Sequence, residues 1–339
     1  MTKGLKMLVV LWLFVLTCLV NLETTSSLST EFKWKYFDYV WKSPEQEKWY
    51  KVNKHYIPRD FTPIDVDRSS DGRTFVTIIR TVGVPATLHT VSKNYSSSGP
   101  LLEPYPDWTW YNPIDPCNGL INVYRVAIDN CNRMWVLDVG SIDFQQICPV
   151  RLLVFNLHTN KLIFWQALKN NVAYSSKTRS LLITPIVDTE GLQCEDTTVY
   201  IADVLGHALI VWRNFEAVRL ENEEMFGPQS AHTAFNIDNV NFTLQDGLFG
   251  MSLSPKISND LRYLVFRPLA SLSVHAVTTE QLKNSVKGGK VDYITGKDVL
   301  PSQASTMAFA SDGTLFYGLT KHIAIGCWNI KFPMLAEYF

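Results

Sequence analysis

The stretch Cys131-Asn132-Arg133-Met134-Trp135-Val136-Leu137-Asp138-Val139-Gly140 decides the fold of this chain. A polar turn leads into a short run of bulky residues, which is typical of a β-strand, and the strand ends at an acidic and a small residue. The same order recurs where residues 70–73, 195–197, 259–260 and 311–313 lead into runs 74–79, 198–203, 261–266 and 314–319. Five copies at intervals of roughly fifty to sixty-five residues predict stacked or radially arranged units, such as propeller blades with long loops.

Composition favours one large all-β domain or two smaller ones. The chain has 339 residues, enough for a sizeable core, and 12% of them are aromatic, including ten Trp. The formal net charge is −1 and only 19% of residues are charged. No basic field therefore indicates nucleic acid or an acidic membrane surface as a partner.

The N-terminus has the pattern of a secretory signal peptide. Lys3 and Lys6 precede an apolar run at residues 7–20, and small residues follow near 24–27. The alternative is a signal anchor, but the run is shorter than the ~20 residues that a membrane span needs. We therefore predict a signal peptide over residues 1–27 and a secreted, extracellular mature chain, 28–339, without a membrane span.

Cysteine usage agrees with export. Cys18 would leave with the signal peptide, and the five remaining cysteines are an odd number, so at least one lacks an intrachain partner. No CxxC spacing occurs, so disulfides are expected rather than a metal site. Asn94 and Asn241 each begin an Asn-x-Ser/Thr sequence and are predicted glycosylation acceptors if the chain is secreted.

The strand pattern divides the mature chain into blades near residues 61–106, 117–168, 180–220, 243–294 and 301–339. Ahead of them, residues 31–41 alternate polar and aromatic side chains and predict a separate strand that closes the ring on the blade at the other end of the chain. Residues 43–51 predict a short helix that begins at Ser43, with Pro44 in the first helical position.

Several phrases together resemble the yellow and major royal jelly protein family of insects. They are Pro63-Ile64-Asp65-Val66-Asp67-Arg68, Gly99-Pro100-Leu101-Leu102-Glu103-Pro104-Tyr105-Pro106-Asp107-Trp108, Arg133-Met134-Trp135-Val136-Leu137-Asp138, Leu244-Gln245-Asp246-Gly247-Leu248-Phe249-Gly250-Met251 and Gly326-Cys327-Trp328-Asn329. The resemblance covers residues 33–329 and implies a secreted six-bladed β-propeller. It also implies that Cys117 pairs with Cys148 and Cys131 with Cys194, which leaves Cys327 over.

The C-terminus departs from the family pattern. Members usually continue well past the Cys-Trp-Asn phrase, and residues 330–339 do not resemble that continuation. The expected fold class is therefore an all-β, six-bladed propeller whose last blade is incomplete in this chain. A truncated isoform, an incomplete gene model and a degenerate paralogue are equally compatible with this ending.

One rim of the predicted channel carries the candidate ligand-binding residues. They are Asp138, Asp203, Gln245, Asp246 and Ser305, with His207 and His322 on the same rim. A ring of carboxylates there would bind an amine or a cation. The alternative is that Asp138 and Asp203 end their strands by accepting N–H bonds from turns, and that Asp246-Gly247 is a tight turn.

An aromatic loop after the first blade also has two interpretations. It contains Tyr105, Trp108, Trp110 and Tyr111, which would either cover a flat apolar ligand or pack one blade against the next.

Sequence motifs support no catalytic mechanism. No GxSxG, HExxH or glycine-rich phosphate loop occurs, and no catalytic residue, metal site or cofactor is predicted. Two function classes remain open, since fold does not determine function. The first, which we favour because residues 33–39 and 99–108 are nearer the royal jelly type, is a non-catalytic protein, nutritive or binding a sterol, lipid or biogenic amine in the channel, with an oligomer as one expected form. The second is a dopachrome-converting enzyme of the yellow type, which the Cys131 and Cys194 pair favours.

Overall fold

Residues 29–191, 193–257 and 260–339 are described by the structure, a computed structural model. They form five antiparallel sheets, called blades 1 to 5, and two short hairpins. The predicted signal peptide, Cys18 and Asn259 of the fourth repeated turn lie outside the described residues.

The strands of each blade follow one another in the chain. Blade 1 contains β1 (Thr62–Arg68), β2 (Thr74–Ile79), β3 (Leu88–Ser96) and β4 (Gly99–Pro104). Blade 2 contains β5 (Val123–Ile128) and β6 (Arg133–Asp138), then an inserted hairpin of β7 (Ser141–Ile142) and β8 (Gln145–Gln146), then β9 (Arg151–Asn156) and β10 (Lys161–Ala167). Blade 3 contains β11 (Leu182–Glu190), β12 (Asp196–Asp203), β13 (Ala208–Arg213) and β14 (Glu216–Glu221).

A second hairpin, β15 (Ala234–Ile237) and β16 (Val240–Thr243), separates blade 3 from blade 4. Blade 4 contains β17 (Leu248–Leu253), β18 (Tyr263–Pro268), β19 (Val274–Thr278) and β20 (Ile294–Gly296). Blade 5 has three strands, β21 (Ala304–Phe309), β22 (Thr314–Leu319) and β23 (Ala324–Asn329). The α-helices are α1 (Pro44–Val52), α2 (Asn170–Ala173), α3 (Glu223–Phe226) and α4 (Thr279–Ser285).

The first strands of the blades lie next to one another around a common axis. β1 contacts β5, β5 contacts β11, β11 contacts β17, and β17 contacts β21. This radial order confirms the predicted all-β propeller. The described residues form five blades where the resemblance implies six, and the three-stranded blade 5 is compatible with an incomplete end of the ring.

The repeated polar turn has a physical reason. In every blade, the link between the first and second strand contains, close to the start of the second strand, a residue in the left-handed region, where glycine, Asn and Asp are tolerated best. These residues, with their φ angles, are Gly72 (85°), Asn132 (56°), Cys194 (62°), Asp260 (59°) and Gly313 (89°). Blade 3 also has Gly191, at 88°, earlier in the same link. The turn recurs in the sequence because the hairpin recurs in the fold.

The N-terminal segment does not close the ring, so the predicted strand over residues 31–41 is corrected. Its only β-bridge in the described structure joins Tyr39 to Leu102 of β4, in a parallel sense. The N–H of Leu102 donates to Asp38 and the N–H of Val40 donates to Leu102. Tyr39, 2% exposed, packs against rings of the first blade and its neighbours, including His89 and Trp108. Burying these aromatic rings on the adjacent blade stabilises this position.

The helix expected at residues 43–51 is confirmed as α1. Ser43 caps it by accepting the N–H of Gln46, and Pro44 occupies its first turn.

Both disulfides implied by the resemblance are present. Cys117 bonds to Cys148 with the Cα atoms 5.6 Å apart, and Cys131 bonds to Cys194 with the Cα atoms 6.4 Å apart. Cys327 is outside these pairs and half-buried in β23. The second disulfide fixes the turn of blade 2 to the turn of blade 3.

Candidate functional site

Asp138 lies at the end of β6 and has no exposed surface. Its carboxylate is 2.6 Å from the guanidinium of Arg151 and accepts the N–H groups of Ile121, Asn122 and Gly140. The side chain therefore ends its strand and neutralises a buried cation.

Asp203 repeats this arrangement at the end of β12. It has no exposed surface, lies 2.7 Å from Arg219, and accepts the N–H groups of Leu181 and Gly206. The alternative interpretation of the two carboxylates, that they accept N–H bonds at strand ends, is confirmed. A ligand at the rim would meet neither of them without a rearrangement.

In blade 4 the last residue of the second strand is Pro268, and the residue before it is a buried cation that no described carboxylate pairs with. Arg267 has no exposed surface, and its guanidinium donates to the main-chain carbonyls of Ala304, Ser305, Pro268 and Leu269. Burial lowers the pKa of Arg267 to about 9. Ser305, one of the predicted rim residues, is thus held through its main chain.

Asp246 and His207 are the rim residues that the structure brings together. Burial raises the pKa of Asp246 and the nearby His207 acts in the opposite direction. The imidazole Nδ1 of His207 lies 2.9 Å from Glu223 of α3. Gln245 and His322 are exposed on separate loops. The seven predicted rim residues therefore do not form one continuous ring.

The aromatic loop packs blades together, which confirms the second of its two interpretations. Tyr105, 3% exposed, lies edge-on between Phe75 of blade 1 and Phe155 of blade 2, at 5.2 and 5.6 Å between ring centroids. Trp108 stacks on Trp41 of the N-terminal segment at 5.2 Å. These rings are occupied by protein neighbours.

A cavity of about 140 Å³ lies on the axis, between the first strands of all five blades. Its charged lining residues are Asp65 and Asp67 of β1 and Arg125 of β5. Asp65 and Asp67 are two residues apart in a strand, so their side chains leave the same face. We take this axial cavity as the candidate functional site.

The charges of the axial cavity are only partly compensated. Oδ2 of Asp65 accepts the N–H of Val126 at 3.4 Å, and burial raises the pKa of Asp65 to about 6 although Arg125 opposes the shift. Burial also raises the pKa of Asp67. The guanidinium of Arg125 lies over the ring of Phe249 at 5.0 Å, and its buried Nε has no hydrogen-bond partner among the described residues.

Residues in and beside the axial cavity also join neighbouring blades. Besides the bond from Val126 to Asp65, Thr184 of blade 3 donates to the carbonyl of Phe249 at 3.4 Å. The N–H of Phe309 in blade 5 donates to Ser252 of blade 4 at 3.0 Å. A purely structural role of Asp65 is therefore the alternative to ligand binding.

Sequence reasoning missed Asp65, Asp67 and Arg125. The signal that was available is the Asp-Val-Asp spacing inside a predicted first strand, because a strand that lines an axis rarely carries two acidic residues on one face. Arg125 gave no comparable signal, since its approach to Asp65 depends on how two blades pack.

Nothing in the described part of the chain indicates a metal centre or a membrane-spanning helix. Its His, Cys, Asp and Glu side chains form no group of three that could hold a metal ion. Its helices are all too short or too polar to cross a bilayer.

The sequence profile described as "Major royal jelly protein" matches residues 121–339. Major royal jelly protein 9 of Apis mellifera is 37% identical over 307 residues, which cover 90% of this chain and 71% of the relative. The chain belongs to the major royal jelly protein family. Major royal jelly proteins 7 and 8 of the same species are 34% and 35% identical, over 94% and 90% of this chain and 74% and 73% of theirs. The predicted family is thereby confirmed.

Two of the three charged residues of the axial cavity lie before the region that matches the major royal jelly protein profile. Asp65 and Asp67 precede residue 121, where the match begins, and Arg125 lies inside it. The alignments to the relatives extend over about nine-tenths of the chain and support its membership beyond the region of the profile.

Proposed function

We propose that this protein is a secreted, non-catalytic member of the major royal jelly protein family that binds a small organic ammonium ion in the axial cavity. The observation that carries the proposal is the pair of carboxylates, Asp65 and Asp67, in a cavity of about 140 Å³. Pockets for drug-sized ligands measure about 300–1,000 Å³. The cavity thus favours a small amine over a sterol, the other ligand class considered from the sequence.

Electrostatics supports an ammonium ligand. Arg125 is one cation facing two carboxylates, so the cavity has an excess of negative charge once both are ionised. An ammonium group adds a second cation and a set of N–H donors to oxygen atoms that are incompletely paired. Since the pKa of Asp65 is about 6, we expect binding to strengthen as the pH rises from 5 to 7.

The test compares tyramine with 4-ethylphenol, its analogue without the amino group, by isothermal titration calorimetry. Tyramine should bind, 4-ethylphenol should not, and Asp65→Asn should weaken tyramine binding at least about tenfold, as expected when a charge-assisted contact is lost. Asp71→Asn, at an exposed turn of the same blade, is the control and should leave affinity unchanged. Equal binding of both compounds, or unchanged affinity in Asp65→Asn, would contradict the proposal.

The rim hypothesis is tested in the same titration. Asp246 is half-buried and Gln245 and Ser305 lie near the same end of the blades, so a ligand at the rim would depend on Asp246. If Asp246→Asn removes tyramine binding and Asp65→Asn does not, the ligand lies at the rim and not in the axial cavity.

Secretion is part of the proposal and is supported by the two disulfides, which persist in oxidising compartments. Asn94 and Asn241 are both exposed, as glycosylation acceptors must be. Expression in insect cells should release the protein into the medium. Treatment with an N-glycosidase should lower its mass, and Asn94→Gln with Asn241→Gln should abolish that shift. A chain retained in cells and without glycans would refute this part.

A dopachrome-converting enzyme is the second candidate, because the Cys131–Cys194 disulfide resembles the yellow type. It predicts that the purified protein accelerates the loss of dopachrome colour over a heat-denatured control. Equal rates would exclude this candidate and leave the binding protein.

A further inference from the structure

A second, larger cavity lies between the N-terminal segment and the residues that precede β1. This groove has a volume of about 450 Å³ and is lined by Lys35, Tyr36, Phe37, Pro58, Arg59 and Phe61. Its volume falls within the range of about 300–1,000 Å³ that is typical of small-molecule sites. Four of its six lining side chains are aromatic or proline, and the other two are cationic.

The aromatic wall of the groove is held in place by its own contacts. Phe37 lies between Trp34 and Phe61, with ring centroids 5.2 and 6.2 Å away, and its carbonyl accepts the hydroxyl of Tyr56 at 2.8 Å. Phe61 also contacts the buried rings of Tyr39 and Tyr56. An apolar ligand would therefore meet a surface that is already formed, which lowers the cost of ordering it.

The two cations of the groove are poorly neutralised. Within the described chain, no carboxylate lies within 4.0 Å of Lys35. Among the described residues, the only carboxylate within 4.0 Å of the Arg59 guanidinium is that of its neighbour Asp60, at 3.6 Å, and the Arg59 side chain is 87% exposed. Both head groups are therefore available to an anion at the mouth of the groove.

We propose that this groove binds a medium-chain fatty acid carboxylate, with its hydrocarbon chain along Phe37, Pro58 and Phe61 and its carboxylate between Lys35 and Arg59. Charge complementarity selects an anionic head, because a neutral or cationic amphiphile would leave both cations uncompensated or repel them. The apolar wall selects the hydrocarbon tail, because each methylene that it covers is removed from water. This site is separate from the axial cavity and does not depend on an ammonium ligand there.

The test uses three probes that share a ten-carbon chain and differ in their head groups: decanoate, 1-decanol and decyltrimethylammonium. Each is titrated calorimetrically into the full-length secreted protein below its critical micelle concentration. Decanoate should bind about tenfold more tightly than decanol, and decyltrimethylammonium should not bind measurably. Equal affinity for decanol and decanoate would overturn the proposal, because the site would then recognise only the hydrocarbon chain.

Two double variants locate the site. Lys35→Gln with Arg59→Gln should reduce the affinity for decanoate about tenfold and leave the affinity for decanol unchanged. The control is Lys42→Gln with Lys93→Gln, which makes the same change in net charge at exposed lysines outside the groove. It should change neither affinity. Lys35→Glu with Arg59→Glu should transfer the preference from decanoate to decyltrimethylammonium. If the control variant weakens decanoate as much as the groove variant, the effect comes from net charge and the proposal fails. Asp65→Asn should leave decanoate binding intact.

Discussion

The carboxylate of Asp138 lies 2.6 Å from the guanidinium of Arg151, and the carboxylate has no exposed surface. Asp203 and Arg219 form the same pair one blade later, at 2.7 Å. In both blades the aspartate ends the second strand. Its arginine partner comes from the third strand of the sheet, β9, in blade 2 and from the outer strand, β14, in blade 3. Asp138 and Asp203, which the sequence indicates as candidate ligand contacts, therefore have a structural role in their blades.

Replacing Asp138 by Asn should destabilise the protein by about 3 kcal/mol or more, because Arg151 would stay buried without its counter-charge. The measurement is urea denaturation at pH 7. Glu31→Gln is the matched control, since the pair of Glu31 with Arg68 at 3.1 Å is exposed and its loss should cost less than about 1 kcal/mol. Equal stability of the two variants would mean that the buried pair contributes no more than the exposed one.

Asp65→Asn should have the opposite effect and stabilise the ligand-free protein at pH 7. Its folded-state pKa of about 6 exceeds the usual value of about 3.9, so the ionised carboxylate costs folding free energy above pH 6. The expected gain is on the order of 2–3 kcal/mol at pH 7, because this pKa already includes the attraction between Asp65 and Arg125. The advantage of the variant should disappear as the pH falls towards 4. Asp71, whose pKa is held at about 2 by Arg73, should show no such gain when replaced by Asn.

His89→Gln should make the protein less sensitive to acid. Burial beneath Tyr39 lowers the pKa of His89 to about 3, whereas an unfolded His titrates near 6.5. The unfolded chain therefore binds a proton between these values that the folded chain excludes, and stability falls as the pH falls. At pH 5 the native residue should cost about 2 kcal/mol relative to pH 7. Thermal unfolding of His89→Gln and of the exposed control His158→Gln, each at both pH values, measures the difference; equal slopes would contradict it.

Removing the Cys131–Cys194 disulfide by replacing both residues with Ser should lower the free energy of unfolding by about 3–4 kcal/mol. The bond closes a loop with a sequence separation of 63 residues, and such closure restricts the unfolded chain. Urea denaturation without reductant measures the effect. Peptide mapping under the same conditions checks the pairing, and a peptide that links Cys327 to any of the four paired cysteines would show that it is wrong.

Much of the fold could be predicted because its signals are local. The turn residues at Gly72, Asn132 and Gly313 and the apolar runs after them are contiguous in the sequence, and they specify hairpins without knowledge of distant contacts. The family resemblance supplied the disulfides. The position of residues 31–41 could not be predicted in this way, because their alternating aromatic pattern fits any apolar surface and does not say which blade provides it.

The candidate site was harder to predict because its character depends on burial. Asp138 and Asp65 are both acidic residues in or at the end of a strand, and the sequence does not distinguish them. Arg151, 13 residues further along the chain, satisfies Asp138, whereas Asp65 faces the axial cavity with Arg125, 60 residues away. Only the packing of blades against each other decides which carboxylate is neutralised and which faces the axial cavity.

The first strands of the blades contact one another in chain order: β1 with β5, β5 with β11, β11 with β17 and β17 with β21. This order has a consequence for folding during synthesis. Each blade is made of consecutive hairpins and packs on the blade synthesised immediately before it. A chain that emerges from the ribosome can therefore complete and dock its blades one at a time, without waiting for its C-terminus. Each new blade covers the face that the preceding blade leaves open, so these faces are covered in the order of translation.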